Sequence, residues 1–158
     1  MLYFAYGSNL DPQQMAQRCP GHSVVGVAEL PDHKLTFPLT SHDWGGGVAS
    51  VVETHSGSVW GVVYELSADD LAALDGYEHF VGANNPHNLY DRVSTTVQLV
   101  RPEDGSFPRR LRAWIYVAGP ANPSPPSRRY LEAIVRGAKS HHLPDDYVTR
   151  LAATPVVD

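Results

Sequence analysis

A chain of 158 residues, 42% of them hydrophobic, can bury one substantial core, so we expect a single domain spanning residues 1–158. The formal net charge of −5 argues against a nucleic-acid partner, because a phosphate backbone calls for a basic protein face. No apolar stretch is long enough to cross a bilayer, no secretory leader is recognisable, and the one cysteine, Cys19, has no disulfide partner within the chain. These features predict a soluble protein of the reducing cytoplasm, with no membrane partner.

The first predicted element is a strand that ends at a polar turn. Residues 2–6 are apolar or aromatic, which favours extended backbone, and Gly7, Ser8 and Asn9 then tolerate the dihedral angles of a turn. Consecutive small residues also leave backbone N–H groups open to a carboxylate or an oxyanion. Because ordinary turns use the same residues, this motif needs support from the rest of the chain.

A short helix is predicted next, with Asp11 as its cap and Pro12 at its first position, ending near Cys19. Four β-rich segments follow it, over residues 23–30, 34–37, 48–53 and 58–66. They are separated by a predicted turn at 31–33, a hairpin at 55–57 and a long loop over 38–47, in which three consecutive glycines favour a mobile segment.

The clearest helix of the first half begins after Ser67, which is placed to cap it, with Asp70 in the acidic position of a capping box. Leu71 and Leu74 mark its buried side, and Gly76 is expected to end it after two or three turns. A Gly- and Asn-rich loop is predicted from there to residue 89.

The remaining third of the chain is predicted to contain two strands and two helices. The strands cover 90–101 and 111–118, a proline-rich connector covers 119–127, and the helices make up a C-terminal segment at about 127–153. Strands dominate the middle of the chain and helices are few. This balance predicts an α+β fold in which helices pack on a closed or strongly curved sheet.

Glu78 is the residue that the pattern singles out for proton-transfer chemistry. A helix continuing past Gly76 would turn Glu78 to the same side as Leu71 and Leu74, whereas a helix ending there would leave it just beyond the last turn. In either case Tyr77 and its apolar surroundings favour partial desolvation, which raises a carboxyl pKa toward the range useful at neutral pH. An exposed loop glutamate is the competing interpretation.

Other catalytic classes find little support in the sequence. The eight histidines lack metal-ligand spacing, Cys19 has no identifiable base partner, and Ser8 lies outside a nucleophile-elbow motif. We therefore expect no metal and no cofactor. The basic cluster at 109–112 is interpreted as a solvated loop between strands, because no aromatic residues are interleaved with it.

Three separated motifs resemble the γ-glutamylcyclotransferase-like superfamily. They are Tyr6-Gly7-Ser8-Asn9-Leu10, Leu74-Asp75-Gly76-Tyr77-Glu78 and Tyr90-Asp91-Arg92, and their order and spacing cover most of the chain. The tail, with Tyr130, Gly137-Ala138-Lys139 and Leu143-Pro144-Asp145-Asp146-Tyr147, is similar to the C-terminal helices of γ-glutamylcyclotransferases proper. The chain departs from many relatives in having His79-Phe80 after the glutamate, where a glycine is common.

The resemblance implies a small mixed β-barrel with flanking short helices and a cyclising, lyase-type activity. The expected reaction releases 5-oxoproline and a free amine or amino acid from a γ-glutamyl amino acid or related γ-glutamyl amide. The resemblance further implies that Glu78 is the catalytic acid and base, and that the substrate-binding residues are Tyr6, Gly7, Ser8, Asn9, Leu10 and Tyr116. Tyr116 is equally well interpreted as a core aromatic residue, and Arg92 either as a partner of a carboxylate in the site or as a solvent-exposed strand residue.

Several questions stay open on the sequence alone. A non-catalytic module that binds a γ-glutamyl or amino-acid-like ligand on the same fold is the alternative, favoured by His79-Phe80. The protein is expected to act as a monomer or homodimer on a small molecule. Residues 42–44 are candidates for the mouth of the pocket, where the leaving amine would be selected.

Overall fold

Within residues 1–119 and 122–158, the part of the chain that this computed structural model describes, five strands form a closed barrel. The strands are β1 Leu2–Ala5, β2 Ser23–Ser41, β3 Gly46–Glu65, β4 Asp91–Pro102 and β5 Arg109–Val117, in the order β1-β3-β2-β4-β5. Neighbouring strands are antiparallel except at the closure, where β1 and β5 run parallel at Tyr3 and Trp114. The predicted α+β fold with a small mixed barrel is confirmed.

Short helices flank the barrel. They are α1 Pro12–Arg18, α2 Ala68–Tyr77, α3 Arg128–Ser140 and α4 Asp145–Ala152, and a 3₁₀ turn covers Ser8–Leu10. The expected C-terminal helical segment is present as α3 and α4, while part of the predicted connector, at 120 and 121, lies outside the described residues. No helix of the described ranges is long and apolar enough to cross a membrane.

The β2–β3 pair is longer than the sequence predicted. The turn expected at 31–33 and the hairpin expected at 55–57 are both wrong, because β2 and β3 run through these segments and stay paired on either side of them. Asp32 and Ser56 have positive φ values of 58° and 62°, and a register shift there bends both strands together. Cross-strand pairing over a long distance thus absorbs local turn residues as a bulge.

The glycine-rich loop predicted over 38–47 is mostly strand as well, with only a short turn between Ser41 and Gly46. Gly47 lies in β3 and donates its backbone N–H to the carbonyl of Pro125 at 2.9 Å. A Cβ atom at position 47 would lie 2.0 Å from the carbonyl oxygen of Ser124. Because Gly47 has no side chain, β3 can approach the backbone of the segment before α3 closely. The glycine is therefore part of a packed contact and does not mark a mobile loop.

The predicted helix starts are confirmed. Pro12 is the first residue of α1, and the Ser67 hydroxyl accepts a hydrogen bond from the Asp70 N–H at 3.1 Å at the start of α2. Asp11 precedes α1 as expected, but its carboxylate pairs with Arg136 of α3 at 3.0 Å instead of capping the helix. This ion pair ties the beginning of α1 to the C-terminal helices.

Helix α3 packs directly on the 3₁₀ turn that follows β1. A Cβ atom at Gly137 would lie 2.2 Å from the carbonyl carbon of Leu10, so the helix and the turn meet backbone to backbone. Leu10 and Ile134 are fully buried at this contact. The C-terminal helix therefore fixes the position of the polar turn predicted from the sequence.

Candidate active site

A cavity of about 360 Å³ opens where the turn after β1, the tip of the β2–β3 pair and the end of α2 meet. Most of the site residues predicted from the sequence line it: Tyr6, Gly7, Ser8, Asn9, Glu78 and Tyr116. Leu10 does not, because its side chain is fully buried in the core and its amide donates to the carbonyl of Gly7 at 3.0 Å. Residues 42–44 also line the cavity, with His42 and Asp43 exposed and Trp44 half-buried.

Glu78 is the C-cap residue of α2, one position beyond the helix end at Tyr77. The helix thus passes Gly76, where the sequence predicted its end, and closes through two backbone hydrogen bonds: His79 N–H to Gly76 and Phe80 N–H to Asp75, at 3.2 and 2.9 Å. His79 takes the left-handed position that glycine usually occupies in this motif, with φ at 55°. The chain therefore turns just after Glu78.

The Glu78 carboxyl faces the polar turn. Its Oε1 atom accepts a hydrogen bond from the Asn9 side-chain amide at 3.2 Å and lies 3.7 Å from Arg18 Nη1. The side chain is only 16% exposed. Burial raises the pKa of Glu78 above its ordinary value, and the Arg18 charge and the Asn9 hydrogen bond oppose that rise. The exposed-loop interpretation of this glutamate is therefore wrong.

Asn9 connects the groups around the turn. Its Nδ2 atom donates to the Tyr3 hydroxyl at 2.9 Å as well as to Glu78, and its backbone carbonyl accepts from the Tyr64 hydroxyl at 2.9 Å. Its Oδ1 atom accepts from Gln14 and Arg18 at 3.0 and 3.1 Å. Every polar group of this buried side chain is paired, which holds it in one orientation.

The backbone of the turn offers donors to a ligand. Within the described residues, no acceptor takes a hydrogen bond from the amides of Gly7, Ser8 or Asn9. Gly7, Ser8 and Asn9 all line the cavity that Glu78 also lines. A cluster of amides of this kind suits a carboxylate or a carbonyl oxygen that gains negative charge.

Three tyrosines, Tyr6, Tyr90 and Tyr130, form another part of the cavity wall. The Tyr6 hydroxyl donates to the carbonyl of Tyr116, the Tyr90 hydroxyl donates to the carbonyl of Ala49 at 2.6 Å, and the Ala49 N–H donates to the Tyr130 oxygen at 2.8 Å. Burial raises the pKa of these phenols, so they stay neutral at physiological pH. They shape the cavity without adding charge.

Tyr116 lines the cavity, yet its hydroxyl donates to Asp75 Oδ1 at 2.6 Å. Asp75 in turn lies 3.5 Å from the Arg92 guanidinium, which stacks over Trp114 and Phe80. Arg92 is 20% exposed and is not among the cavity-lining residues. The arginine is thus not a solvent-exposed strand residue. It pairs with a carboxylate, that of Asp75, which the Tyr116 hydroxyl also contacts.

Several residues of the site escaped the sequence analysis. Gln14 and Arg18 lie one turn apart on α1 and reach Asn9 from the same side, so their i, i+4 spacing was the only available signal. Tyr3, Tyr90 and Tyr130 come from β1, the segment before β4 and α3, and only the tertiary fold brings them together.

Comparison with known proteins agrees with the fold. The model of the AIG2-like family matches residues 58–151, and curated γ-glutamylcyclotransferases match almost the whole chain. The chain therefore belongs to the AIG2-like family and, within it, to the γ-glutamylcyclotransferase-like proteins, as the motifs predicted.

Particular relatives show how far the likeness extends. The chain is 34% identical to γ-glutamylcyclotransferase of Bos taurus over 154 residues, which are 95% of this chain and 76% of that protein. It is 33% identical to the Homo sapiens protein of the same name, over 96% of this chain and 77% of that protein. A solved structure of a γ-glutamyl cyclotransferase superposes with a TM-score of 0.85 at 31% identity, covering 100% of this chain and 89% of the other.

Proposed function

We propose that this protein is a γ-glutamylcyclotransferase that releases 5-oxoproline and a free amine or amino acid from a γ-glutamyl amino acid or related γ-glutamyl amide. One observation carries the proposal: the buried carboxyl of Glu78 and the open amides of the turn at Gly7–Asn9 share one cavity, with the Asn9 side chain bridging them. The relatives named γ-glutamylcyclotransferase support the same activity.

The substrate class supplies its own nucleophile. The α-amino group of the glutamyl moiety attacks the γ-carbonyl carbon, and a new N–C bond closes a five-membered lactam while the bond to the leaving amine breaks. One proton must leave the α-ammonium group and one must reach the departing amine. The reaction uses no covalent enzyme nucleophile, metal or cofactor, because the attack is intramolecular and a folded substrate provides the proximity.

Glu78 is the proposed carrier of that proton. As a carboxylate it takes the proton from the ammonium group, and as a carboxylic acid it returns the proton to the leaving nitrogen. Its raised pKa suits both steps, since the group gains and releases a proton within one cycle. The Asn9 amide keeps the carboxyl directed at the turn.

The amides of the turn are the proposed donors to the substrate. We assign the N–H groups of Gly7, Ser8 and Asn9 to the glutamyl α-carboxylate or to the reacting carbonyl oxygen, which becomes negatively charged during attack. Tyr6 and Tyr116 are proposed to form the wall beside the glutamyl chain. The tip of the β2–β3 pair, with Trp44, would contact the leaving amine, because it lines the cavity next to exposed residues.

The test is a panel of γ-glutamyl substrates, beginning with γ-glutamyl-alanine, with 5-oxoproline detected by mass spectrometry. We expect turnover by the wild type and a loss of kcat on the order of a hundredfold or more for Glu78→Gln, the usual contribution of a general acid and base. Glu132→Gln, an exposed glutamate on α3, is the matched control. An inactive wild type that binds γ-glutamyl compounds in calorimetry would establish the non-catalytic binding module instead.

Location and assembly stay predictions. A reducing cytoplasm is proposed because Cys19 is a free, buried thiol. A monomer or homodimer acting on a small molecule, without a nucleic-acid partner, fits the acidic net charge. Gel filtration with light scattering would determine the oligomeric state.

A further inference from the structure

One face of α1 is directed at the site and carries two polar side chains a turn apart, Gln14 and Arg18. Gln14 Nε2 donates to Ser8 Oγ at 2.8 Å and to Asn9 Oδ1 at 3.0 Å. Arg18 Nη1 donates to the same Oδ1 atom at 3.1 Å. Two donors from one helix therefore converge on a single acceptor at the edge of the cavity.

This convergence determines which way the Asn9 amide points. With Oδ1 between two donors, the NH₂ group must point to the other side, where it meets the Tyr3 hydroxyl and Glu78 Oε1. A flipped amide would set its NH₂ group against the donors of Gln14 and Arg18 and lose both of those hydrogen bonds. The α1 side chains thus act on Glu78 through Asn9.

Arg18 also acts on Glu78 directly. Its Nη1 atom lies 3.7 Å from Glu78 Oε1, and its guanidinium stacks 4.7 Å from the ring centre of Tyr77, the last residue of α2. The Arg18 side chain is only 19% exposed, so solvent screens its charge less than that of a surface arginine. Helix α1 and the end of α2 together hold it beside the carboxyl.

The other titratable groups around Glu78 do not supply a comparable charge. Buried phenols face it from β1, β5, α3 and the segments after β1 and before β4: Tyr3, Tyr6, Tyr90, Tyr116 and Tyr130. His42 and Asp43 at the tip of the β2–β3 pair, Tyr77 at the end of α2 and His79 after it complete the titratable lining. Among the described lining residues, Arg18 is the only arginine or lysine.

We propose that Gln14 and Arg18 are positioning residues for the cyclisation: they hold the Asn9 amide with its NH₂ group toward Glu78, and the Arg18 charge favours the ionised, proton-accepting form of the Glu78 carboxyl against the effect of its burial. The inference rests on the proposed function, in which Glu78 carries the proton. Removing the Arg18 charge makes the Glu78 carboxylate harder to form. As the pH falls, Glu78 in such a variant should therefore become protonated, and stop acting as a base, at a higher pH than in the wild type.

Arg18→Met tests the charge, because methionine keeps an unbranched side chain but removes the cation and its donors. The direct readout is the titration of the Glu78 carboxyl by ¹³C NMR, assigned by its loss in Glu78→Gln. We expect the midpoint to rise by about one to two pH units, the usual effect of losing an adjacent cation. In the pH profile of kcat/KM, the midpoint on the acidic side should rise by the same number of pH units. Arg112→Met, on the outer face of the barrel, is the control and should leave both unchanged.

Gln14→Glu tests the orientation of Asn9. The new carboxylate has the same shape but cannot donate to Asn9 Oδ1, so it draws the NH₂ group toward itself and away from Glu78. We expect kcat to fall about tenfold or more, the equivalent of one lost hydrogen bond to a charged group, with KM changing less than threefold. Gln13→Glu adds the same charge at an exposed position of α1 and is the matched control.

The outcomes separate this inference from the proposed function. An unchanged midpoint of the Glu78 titration in a folded Arg18→Met protein overturns the role of Arg18. Arg18→Lys keeps the charge and should shift this midpoint much less than Arg18→Met does. If Arg18→Met fails to fold, Gln14→Glu decides the orientation claim by itself: a kcat equal to that of Gln13→Glu overturns it. A wild type without 5-oxoproline release, but with the NMR shift, overturns the function and leaves the Arg18–Glu78 coupling in place.

Discussion

The side-chain amide of Asn9 and the carboxyl of Glu78 meet at 3.2 Å although 69 positions separate them in the chain. Asn9 lies in the turn after the first strand, and Glu78 lies at the end of α2, which follows the long strands β2 and β3 in the chain. The contact therefore exists only in the folded chain. It joins the group proposed to move a proton to the backbone proposed to hold the substrate.

The stability of the protein should depend on pH because Glu78 is buried. Because burial raises the folded-state pKa of this carboxyl above its ordinary value of about 4.5, folding favours the protonated form. The stabilisation linked to this group is complete below the ordinary glutamate pKa and is lost as the pH rises through the folded-state value.

Glu78→Gln removes that titration. We expect the variant to melt at a higher temperature than the wild type at pH 8, with the difference disappearing near pH 4. Thermal unfolding followed by circular dichroism across this range measures it, with Glu132→Gln as the control. A variant that melts below the wild type at pH 8 would show that the Arg18 and Asn9 contacts outweigh burial.

Gly137→Ala should change the site indirectly, by moving α3 relative to the polar turn. The added methyl group would lie 2.2 Å from the Leu10 carbonyl carbon, so α3 must move away from the polar turn. We expect a loss of about 1–3 kcal/mol in the free energy of unfolding, as for other overpacked contacts, together with a lower rate of 5-oxoproline release.

Gly76→Ala is the matched comparison for this substitution. A Cβ atom at position 76 of α2 meets no atom within 4 Å. Here we expect stabilisation by about 0.5–1 kcal/mol, the usual gain when alanine replaces glycine inside a helix. Urea titration of both variants tests the pair, and equal effects at the two positions would contradict the close contact of α3 with the turn.

His79 occupies a backbone conformation that favours glycine, with φ at 55°. His79→Gly should therefore stabilise the protein, by up to about 1 kcal/mol after the entropy cost of glycine in the unfolded chain is subtracted. His79→Ala keeps the strained conformation and should give no gain. Differential scanning calorimetry compares the two, and a His79→Gly protein less stable than His79→Ala would mean that the imidazole makes a stabilising contact.

Tyr116→Phe separates the ring of this residue from its hydroxyl. The hydroxyl donates to Asp75 at 2.6 Å, on the far side of the wall, while the residue lines the cavity. We expect a loss of about 1.5–3 kcal/mol in stability, as for hydrogen bonds to charged groups. The fall in kcat should be far smaller than in Glu78→Gln. A loss of kcat as large as in that variant would place the hydroxyl on the substrate.

Local signals in the sequence predicted most of the elements. Pro12 and Ser67 begin helices where expected, because capping depends on groups only two or three residues away. The turns expected at 31–33 and 55–57 failed for the opposite reason. There the ladder between β2 and β3 continues on either side of these residues, so both strands run on and the turn residues form an irregularity within them.

The sequence by itself determined the chemical inventory of the site: a glutamate after a short amphipathic helix, a Gly-Ser-Asn turn after an aromatic strand, and the family to which these motifs belong. Only the tertiary structure decided that Glu78 faces inward, that Leu10 lies in the core, and that Gln14 and Arg18 direct Asn9. The physical reason is the separation along the chain. Caps and turns depend on neighbouring residues, whereas the contacts of Glu78, Leu10 and Asn9 form only when distant segments pack together, as α3 does against the turn in the closed-barrel fold.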